Sequence, residues 1–307
     1  MTTASSLACL IVHKVSVPYI RNVIETIQET LEAVYGPETK LHICDDVDEV
    51  ETGEAQVIFV IGEQLKRFTR RPGKSYVYFN FSVVAMIGNY LRNSLKGAQL
   101  IRYKRKLLDA KLDLFDAVID YYPSQTQALK RKLDLPVAGF VPWVKPCSGD
   151  QIVTPAQREF DVCFVGGMSP RRSKVIESLK ASGLSISPSS GVDLDDVARR
   201  SRCTLNIHMQ RSNHLEIPRV MASLANASPL ITENSHGIFE ILPDDLVIAA
   251  PYGHLIEATK DALTDQSKIN DIADLAHRWY AQTGVPSFRA KLVNALQELN
   301  VHPKDII

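Results

Sequence analysis

A carboxylate and a guanidinium three residues apart open a predicted helix in the run Glu216-Ile217-Pro218-Arg219. Pro218 is tolerated in a first turn, where its missing N–H is not needed, so the helix starts close to Glu216. Ile217, Val220, Met221, Leu224 and Ala225 form its core-facing stripe, while Glu216, Arg219 and Ser223 share another face. The strand predicted before this helix, 203–208, ends in His208; the strand predicted after it, 230–233, ends in Glu233 and runs into Asn234-Ser235-His236-Gly237. In an open α/β sheet, ligands sit outside the carboxyl ends of the strands, where these groups emerge. The chemistry they offer is recognition, because guanidinium and helix N–H groups bind oxyanions and carboxylates accept from hydroxyls. Taken singly, each residue has a plainer use. A first-turn Glu suits the helix dipole, and a surface Glu–Arg pair at i, i+3 contributes only about 0.2–0.5 kcal/mol. The functional reading rests on their clustering.

A second polar segment is Gly166-Gly167-Met168-Ser169-Pro170-Arg171-Arg172-Ser173-Lys174, which follows a predicted strand over 160–165. Ser169 is a good N-cap and Pro170 a natural first helical residue. The two glycines let backbone approach a ligand, and the helix start favours an anion there, with Arg171, Arg172 and Lys174 adding positive charge. A phosphate group fits this description, as does a tight turn into a solvated helix. The third glycine of G-x-G-x-x-G and the Gly-Lys-Ser/Thr of a Walker loop are missing, so nicotinamide binding and P-loop hydrolysis are not supported. Ser235, His236 and Gly237 offer donors for hydroxyls or a second phosphate, and equally make an ordinary strand-to-helix connection.

Strands alternating with helices must position both segments. Short apolar runs at 7–12, 41–44, 56–61, 75–79, 116–121 and 136–141, with helices at 19–34 and 124–132, predict a mainly parallel α/β sheet in the first half. The stretch 142–155, with Pro142, Pro146, Gly149 and Pro155, has the composition of a linker. A second alternation follows: strands at 160–165, 184–187, 203–208, 230–233 and 245–249, and helices at 169–180, 194–200, 253–263, 268–282 and 286–299. The expected architecture is two Rossmann-like α/β domains facing a cleft, 1–150 and 151–307, with the last helix free to pack back on the first domain.

The chain has 307 residues and is 45% hydrophobic, enough to fill two cores. Thirty-five Lys and Arg balance 35 Asp and Glu, which argues against a nucleic-acid binder. No apolar run reaches the roughly 18–20 residues of a membrane span, and the start lacks the basic flank of a signal peptide. A cytoplasmic protein is expected. Cys9, Cys44, Cys147, Cys163 and Cys203 form no C-x-x-C pair and read as reduced, mostly buried thiols.

At residues 160–242 the chain resembles the donor-binding half of GT-B glycosyltransferases, especially the group-1-like bacterial enzymes. The resemblance lies in the glycine loop at Gly166, Leu205-Asn206-Ile207-His208, Glu216 to Arg219, Leu224-Ala225-Asn226, Pro229 and Glu233. It implies transfer of a sugar from a nucleotide-sugar donor, the donor diphosphate held by the second domain and a glycan, lipid-linked or protein acceptor by the first. By the same resemblance Gly166, Gly167 and Arg219 lie near the diphosphate, and Glu216, Glu233 and His236 near ribose or sugar hydroxyls. Many group-1 enzymes carry a second Glu eight positions on; here that position is Leu224, so the retaining motif is incomplete. No D-x-D pair stands in either candidate site, and neither a metal nor a cofactor is expected. An inverting enzyme needs a general base in the first domain, for which His13, at the end of the first strand, is best placed, ahead of Asp116 and Asp120. Two other readings stay open: a non-catalytic GT-B-like module that binds a glycan or protein, and a nucleotide-sugar epimerase.

Between Glu63 and Lys111 there are 12 Lys or Arg against two acids. With Leu100, Ile101, Leu107, Leu108 and Leu112 beside them, they suit peripheral contact with anionic lipid on the inner membrane face. They suit equally a solvated basic surface paired with the acidic stretch 45–54.

Overall fold

The computed structural model describes residues 7–62, 64–81, 111–153, 157–209, 215–235 and 237–301. Two compact units divide between Pro142 and Trp143, and the chain from Ser287 onward groups with the first. In that unit β1 (Ala8–His13), β2 (Lys40–Cys44), β3 (Val57–Ile61), β4 (Ser75–Asn80), β5 (Ala117–Asp120) and β6 (Val137–Gly139) form one sheet in the order β2-β1-β3-β4-β5-β6. All its pairings are parallel. β3 is Val-Ile-Phe-Val-Ile and buried on both faces, as a strand between helix layers must be. Helix α1 (Val17–Tyr35) buries Ile20, Val23, Ile24, Ile27 and Leu31, a one-face stripe; α2 is Pro123–Lys132. The sheet order reverses at β1, which has β2 on one side and β3 on the other. The carboxyl ends of β1 and β3 therefore flank a topological switch point.

The second unit carries β7 (Phe160–Cys163), β8 (Ser201–Asn206), β9 (Leu230–Glu233) and β10 (Val247–Ala250) in the parallel order β10-β9-β8-β7. Its helices are α3 (Pro170–Ala181), α4 (Leu194–Arg199), α5 (Ile217–Ala225), the short α6 (Ile238–Ile241), α7 (Leu255–Thr264) and α8 (Gln266–Trp279). A further helix, α9 (Val285–Glu298), follows a π-helical turn at 280–284. The strand expected at 184–187 is one parallel bridge, Ile186 to Val162. Val162 also pairs with Cys203 of β8, so Ile186 and β8 lie on opposite sides of β7. This places a second switch point between the ends of β7 and β8.

The expected linker is anchored at its start. Trp143 and Val144 are buried, Tyr280 Oη both donates to Val144 O and accepts from its N–H (2.9 Å each), and Cys147 N–H donates to Ala225 O (2.8 Å). Beyond Ser287 the chain is tied to the first unit by Lys130–Glu298 (2.6 Å) and by Tyr35 Oη donating to Val301 O (2.9 Å). All five cysteines are free thiols, with Cys9, Cys163 and Cys203 buried.

Candidate functional site

At the switch point of the second unit, β7 runs through Phe164-Val165-Gly166-Gly167-Met168 into α3. Gly166 has φ +146°, and a Cβ there would stand 2.7 Å from Arg219 Nη2, so no side chain fits without displacing that guanidinium. Ser169 caps α3, accepting Arg172 N–H, and its hydroxyl donates to Met209 O (3.0 Å). Among the described residues the N–H groups of Gly167 and Met168 have no partner, leaving donors open in front of a helix N-terminus.

Beneath this loop lie two buried guanidiniums. Arg172, 2% exposed, donates to Ile207 O (2.9 Å) and Gly167 O (2.7 Å) and pairs with Glu216 Oε1. Arg219, 5% exposed, donates to Val165 O (3.1 Å) and Asn206 Oδ1 (2.6 Å) and pairs with Glu216 Oε2 at 2.7 Å. Both lie over the Phe164 ring, at 5.4 and 5.1 Å. The Glu216–Arg219 pair is therefore one arm of a triad rather than an ordinary surface pair, and it ties the loop after β7 to the loop after β8. Burial pushes Arg172 down to about 10, against the pull of Glu216, and leaves it cationic at neutral pH. Burial raises the Glu216 carboxyl, but Arg219 and Arg172 outweigh that and hold it below its ordinary value. Glu216 stays 33% exposed, so one edge of the carboxylate can meet a ligand.

A second cluster adjoins through the same loop. Arg171 forms a bidentate pair with Glu233, donates to His208 O (3.1 Å) and lies 3.7 Å from the Tyr252 ring centroid, whose hydroxyl donates to Arg171 O (2.9 Å). Glu233 also accepts His208 N–H (3.1 Å). His208 lies in the loop beyond β8, which ends at Asn206, and not on the strand end expected for it. It is 1% exposed, with Nε2 2.8 Å from Ser235 Oγ. On the other side of the ring Nδ1 stands 3.5 Å from Glu233 Oε2, and Ser235 Oγ also donates to Glu233 O (2.8 Å). Burial lowers the His208 pKa, with Glu233 pulling the other way. Gly237, at φ +73°, precedes α6, while His236 lies outside the described residues.

Gly166, Gly167, Arg172, Glu216 and Arg219 are thus gathered at one point, and Arg171, His208, Glu233 and Ser235 beside it. Asn206, Phe164 and Tyr252 also belong and were not foreseen. Asn206 stood in the quoted Leu-Asn-Ile-His run, whereas Tyr252 carries no sequence signal. Three guanidiniums (Arg171, Arg172, Arg219) against two carboxylates (Glu216, Glu233) leave one positive charge beneath an open N–H loop.

In the first unit His13 ends β1 at the other switch point. The ring is 7% exposed and sits under Gly62, where φ is +148° and a Cβ would be 2.5 Å from His13 Cβ. Val15 N–H donates to its Nδ1 (3.3 Å), so in the neutral ring Nε2 carries the proton. Burial lowers its pKa despite Asp45. The ring thus offers a donor at Nε2, whereas a base acting there needs a lone pair. Asp120 is fully buried, accepting from Asn80 (2.6 Å), Gln125 (2.7 Å) and Thr126 (3.0 Å). Asp116 precedes β5, at the opposite end of the sheet from His13, and holds Arg70 (2.7 Å) and Tyr76 N–H (2.8 Å).

The described part of the basic stretch is folded onto its own unit. Lys66 pairs with Asp46 (3.5 Å) and Arg67 with Asp113 (2.6 Å), and Lys74 donates to Gly53 O (2.6 Å). Its residues 82–110 lie outside the described residues. No described helix is long and apolar enough to cross a membrane, and no group of three or more His, Cys, Asp or Glu among the described residues could hold a metal ion.

Solved structures superpose over nearly the whole chain. Sucrose-phosphate synthase of Thermosynechococcus elongatus superposes with a TM-score of 0.61 at 12% identity, over 95% of this chain and 99% of that one. This is the GT-B fold. HepE of Anabaena, solved with UDP-glucose, gives a TM-score of 0.60 at 10% identity over 95% of this chain and 100% of its own. WaaG, a glycosyltransferase of lipopolysaccharide biosynthesis, gives 0.56 at 12% identity, over 94% of this chain and 98% of its own. No family model matches the chain. Among curated sequences, the uncharacterized protein L138 of Acanthamoeba polyphaga mimivirus is 30% identical over 122 residues, 37% of this chain but 14% of that protein. The GT-B fold expected from the residues around Gly166 and Glu216 is the fold found.

Proposed function

We propose that the protein transfers a sugar from a nucleoside-diphosphate sugar to a glycan, lipid-linked or protein acceptor, in glycan or glycoconjugate assembly. The observation that carries this is the open Gly167 and Met168 N–H pair at the start of α3, above the buried Arg172–Glu216–Arg219 triad. A departing diphosphate gathers negative charge, and preorganised N–H groups backed by guanidiniums stabilise it more than they stabilise the ground state. The open edge of Glu216 accepts from ribose or sugar hydroxyls. Glu233 is committed to Arg171 and His208 and acts through them as a positioning residue. The GT-B fold supports this reading, and so does the HepE structure with its UDP-glucose. On the acceptor side, His13 donates a hydrogen bond from Nε2 and orients the acceptor.

The N–H groups and guanidiniums provide the countercharge that a divalent cation provides elsewhere, so the transfer runs without one. EDTA is expected to leave turnover unchanged. UDP, GDP and their sugars should raise the melting temperature, by the equivalent of about 2.7 kcal/mol when the ligand is at 100 times its Kd. Turnover should release free nucleoside diphosphate only when an acceptor is present. Epimerised sugar still attached to nucleotide would point to an epimerase, and binding without any release to a non-catalytic module. No response to a broad donor panel would sink the proposal.

A further inference from the structure

In the first unit β2 ends the sheet on one side. β2 pairs only with β1 among the described residues. Cys44 O accepts Lys14 N–H (2.9 Å), so Cys44 turns its backbone groups toward β1. By the alternation of a parallel ladder, Leu41 and Ile43 turn theirs to the open edge. Their side chains share one face and are 38% and 55% exposed. Folded proteins usually blunt such an edge with Pro, a bulge or inward charge. Here the sequence is Lys-Leu-His-Ile-Cys, with its one fixed charge, Lys40, at the first position.

A groove of about 660 Å³ lies at this edge, lined by Lys14, residues 41–45, Glu49, Val50 and Glu51. Asp45 is paired with Lys14, whereas the exposed Glu49 and Glu51 carboxylates have no partner among the described residues. An open ladder edge, alternate apolar side chains and an uncompensated acidic rim lie together in one groove.

We propose that β2 is a docking edge for an extended segment of another protein, one with apolar residues at alternate positions and Lys or Arg between them. The guest strand would take the free N–H and C=O groups of Leu41 and Ile43, pack its apolar side chains on theirs, and set its cations against Glu49 and Glu51. A second copy of this chain is disfavoured as occupant, because symmetric pairing through β2 would bring two acidic rims together.

The test uses the whole chain and a labelled synthetic peptide, Lys-Ile-Lys-Val-Lys-Ile, with Glu-Ile-Glu-Val-Glu-Ile as control. Fluorescence anisotropy should show binding of the basic peptide alone, weakened about tenfold or more by Glu49→Lys with Glu51→Lys. Amide exchange at Leu41 and Ile43 should slow on binding. Ile43→Pro removes an outward N–H that β1 does not use and is tolerated on an edge strand, so it should abolish binding with circular dichroism unchanged. Should that variant misfold, Ile43→Thr keeps strand propensity and should still weaken binding by removing apolar contact. Absence of basic-peptide binding, equal binding of the acidic peptide, or unchanged exchange at Leu41 and Ile43 would each overturn the proposal. So would self-association in sedimentation equilibrium that Ile43→Thr removes, since it would make the occupant a second copy.

Discussion

Removing the Glu216 carboxylate would leave Arg172 and Arg219 buried beside one another with no shared counter-charge. Uncompensated buried charge is costly, about 3–5 kcal/mol where a pair is fully enclosed; Glu216 is a third exposed, so Glu216→Ala should cost less, about 1–3 kcal/mol. The vacated position is also an anion site. Sulfate should therefore recover more stability in Glu216→Ala than in the parent, and Glu216→Gln, which keeps the shape without the charge, should fall between. Chemical denaturation with and without sulfate reads all three proteins. Equal stability of parent and Glu216→Ala would show that the triad is not what holds the loops. That these charges are buried could not be read from the sequence, because the decisive partners are remote. Glu216 meets Arg172 across 44 residues and Glu233 meets Arg171 across 62.

The loop joining β7 to α3 makes two neighbouring glycines unequal. Gly166 has a positive φ and no room for a Cβ, and strain of that kind costs on the order of 1–3 kcal/mol before Arg219 is displaced. At Gly167 a Cβ would meet only Met209 Cε at 3.4 Å, ordinary contact for a flexible side chain. Gly166→Ala should thus lower stability and nucleotide binding together. Gly167→Ala should keep stability but weaken nucleotide binding, because its methyl crowds the open N–H groups. Thermal shifts with and without UDP separate the two. Most elements were legible from periodicity and capping: Ser169 and Pro170 mark α3, and Pro218 marks the start of α5. The two-faced pattern read for α5 was incomplete, since Arg219 and Ser223 are buried along with its apolar stripe. Their face is closed by Val165, Asn206 and Ser228, which meet it only in the folded sheet. The strand at 184–187 shrinks to a bridge for a similar reason, as its short apolar run finds only Val162 to pair with.

Across the whole molecule, buried titratable groups pull stability in opposite directions with pH. Asp120 is raised from 3.8 to about 6, first by burial, against the hydrogen bonds from Gln125, Asn80 and Thr126. Its folded pKa lies above its unfolded one, so its contribution is fully present below about 4 and is lost as pH rises through about 6, in total on the order of 3 kcal/mol. His208 runs the other way. Burial lowers its pKa below 6.5, so its contribution is present above that value and is lost as pH falls. Glu216, held below 4.5, adds a loss further into acid. Asp120 lies in the first unit and His208 in the second, so the two groups can be substituted separately. Asp120→Asn should remove the loss that Asp120 adds between pH 4 and 6 whatever its effect on absolute stability, because Asn does not titrate. His208→Asn should flatten the loss of stability that His208 adds on the acid side. Calorimetry from pH 4 to 7 on the parent and both variants measures these slopes. If Asp120→Asn kept the parent's slope in that window, the proton on Asp120 would not be what couples stability to pH there.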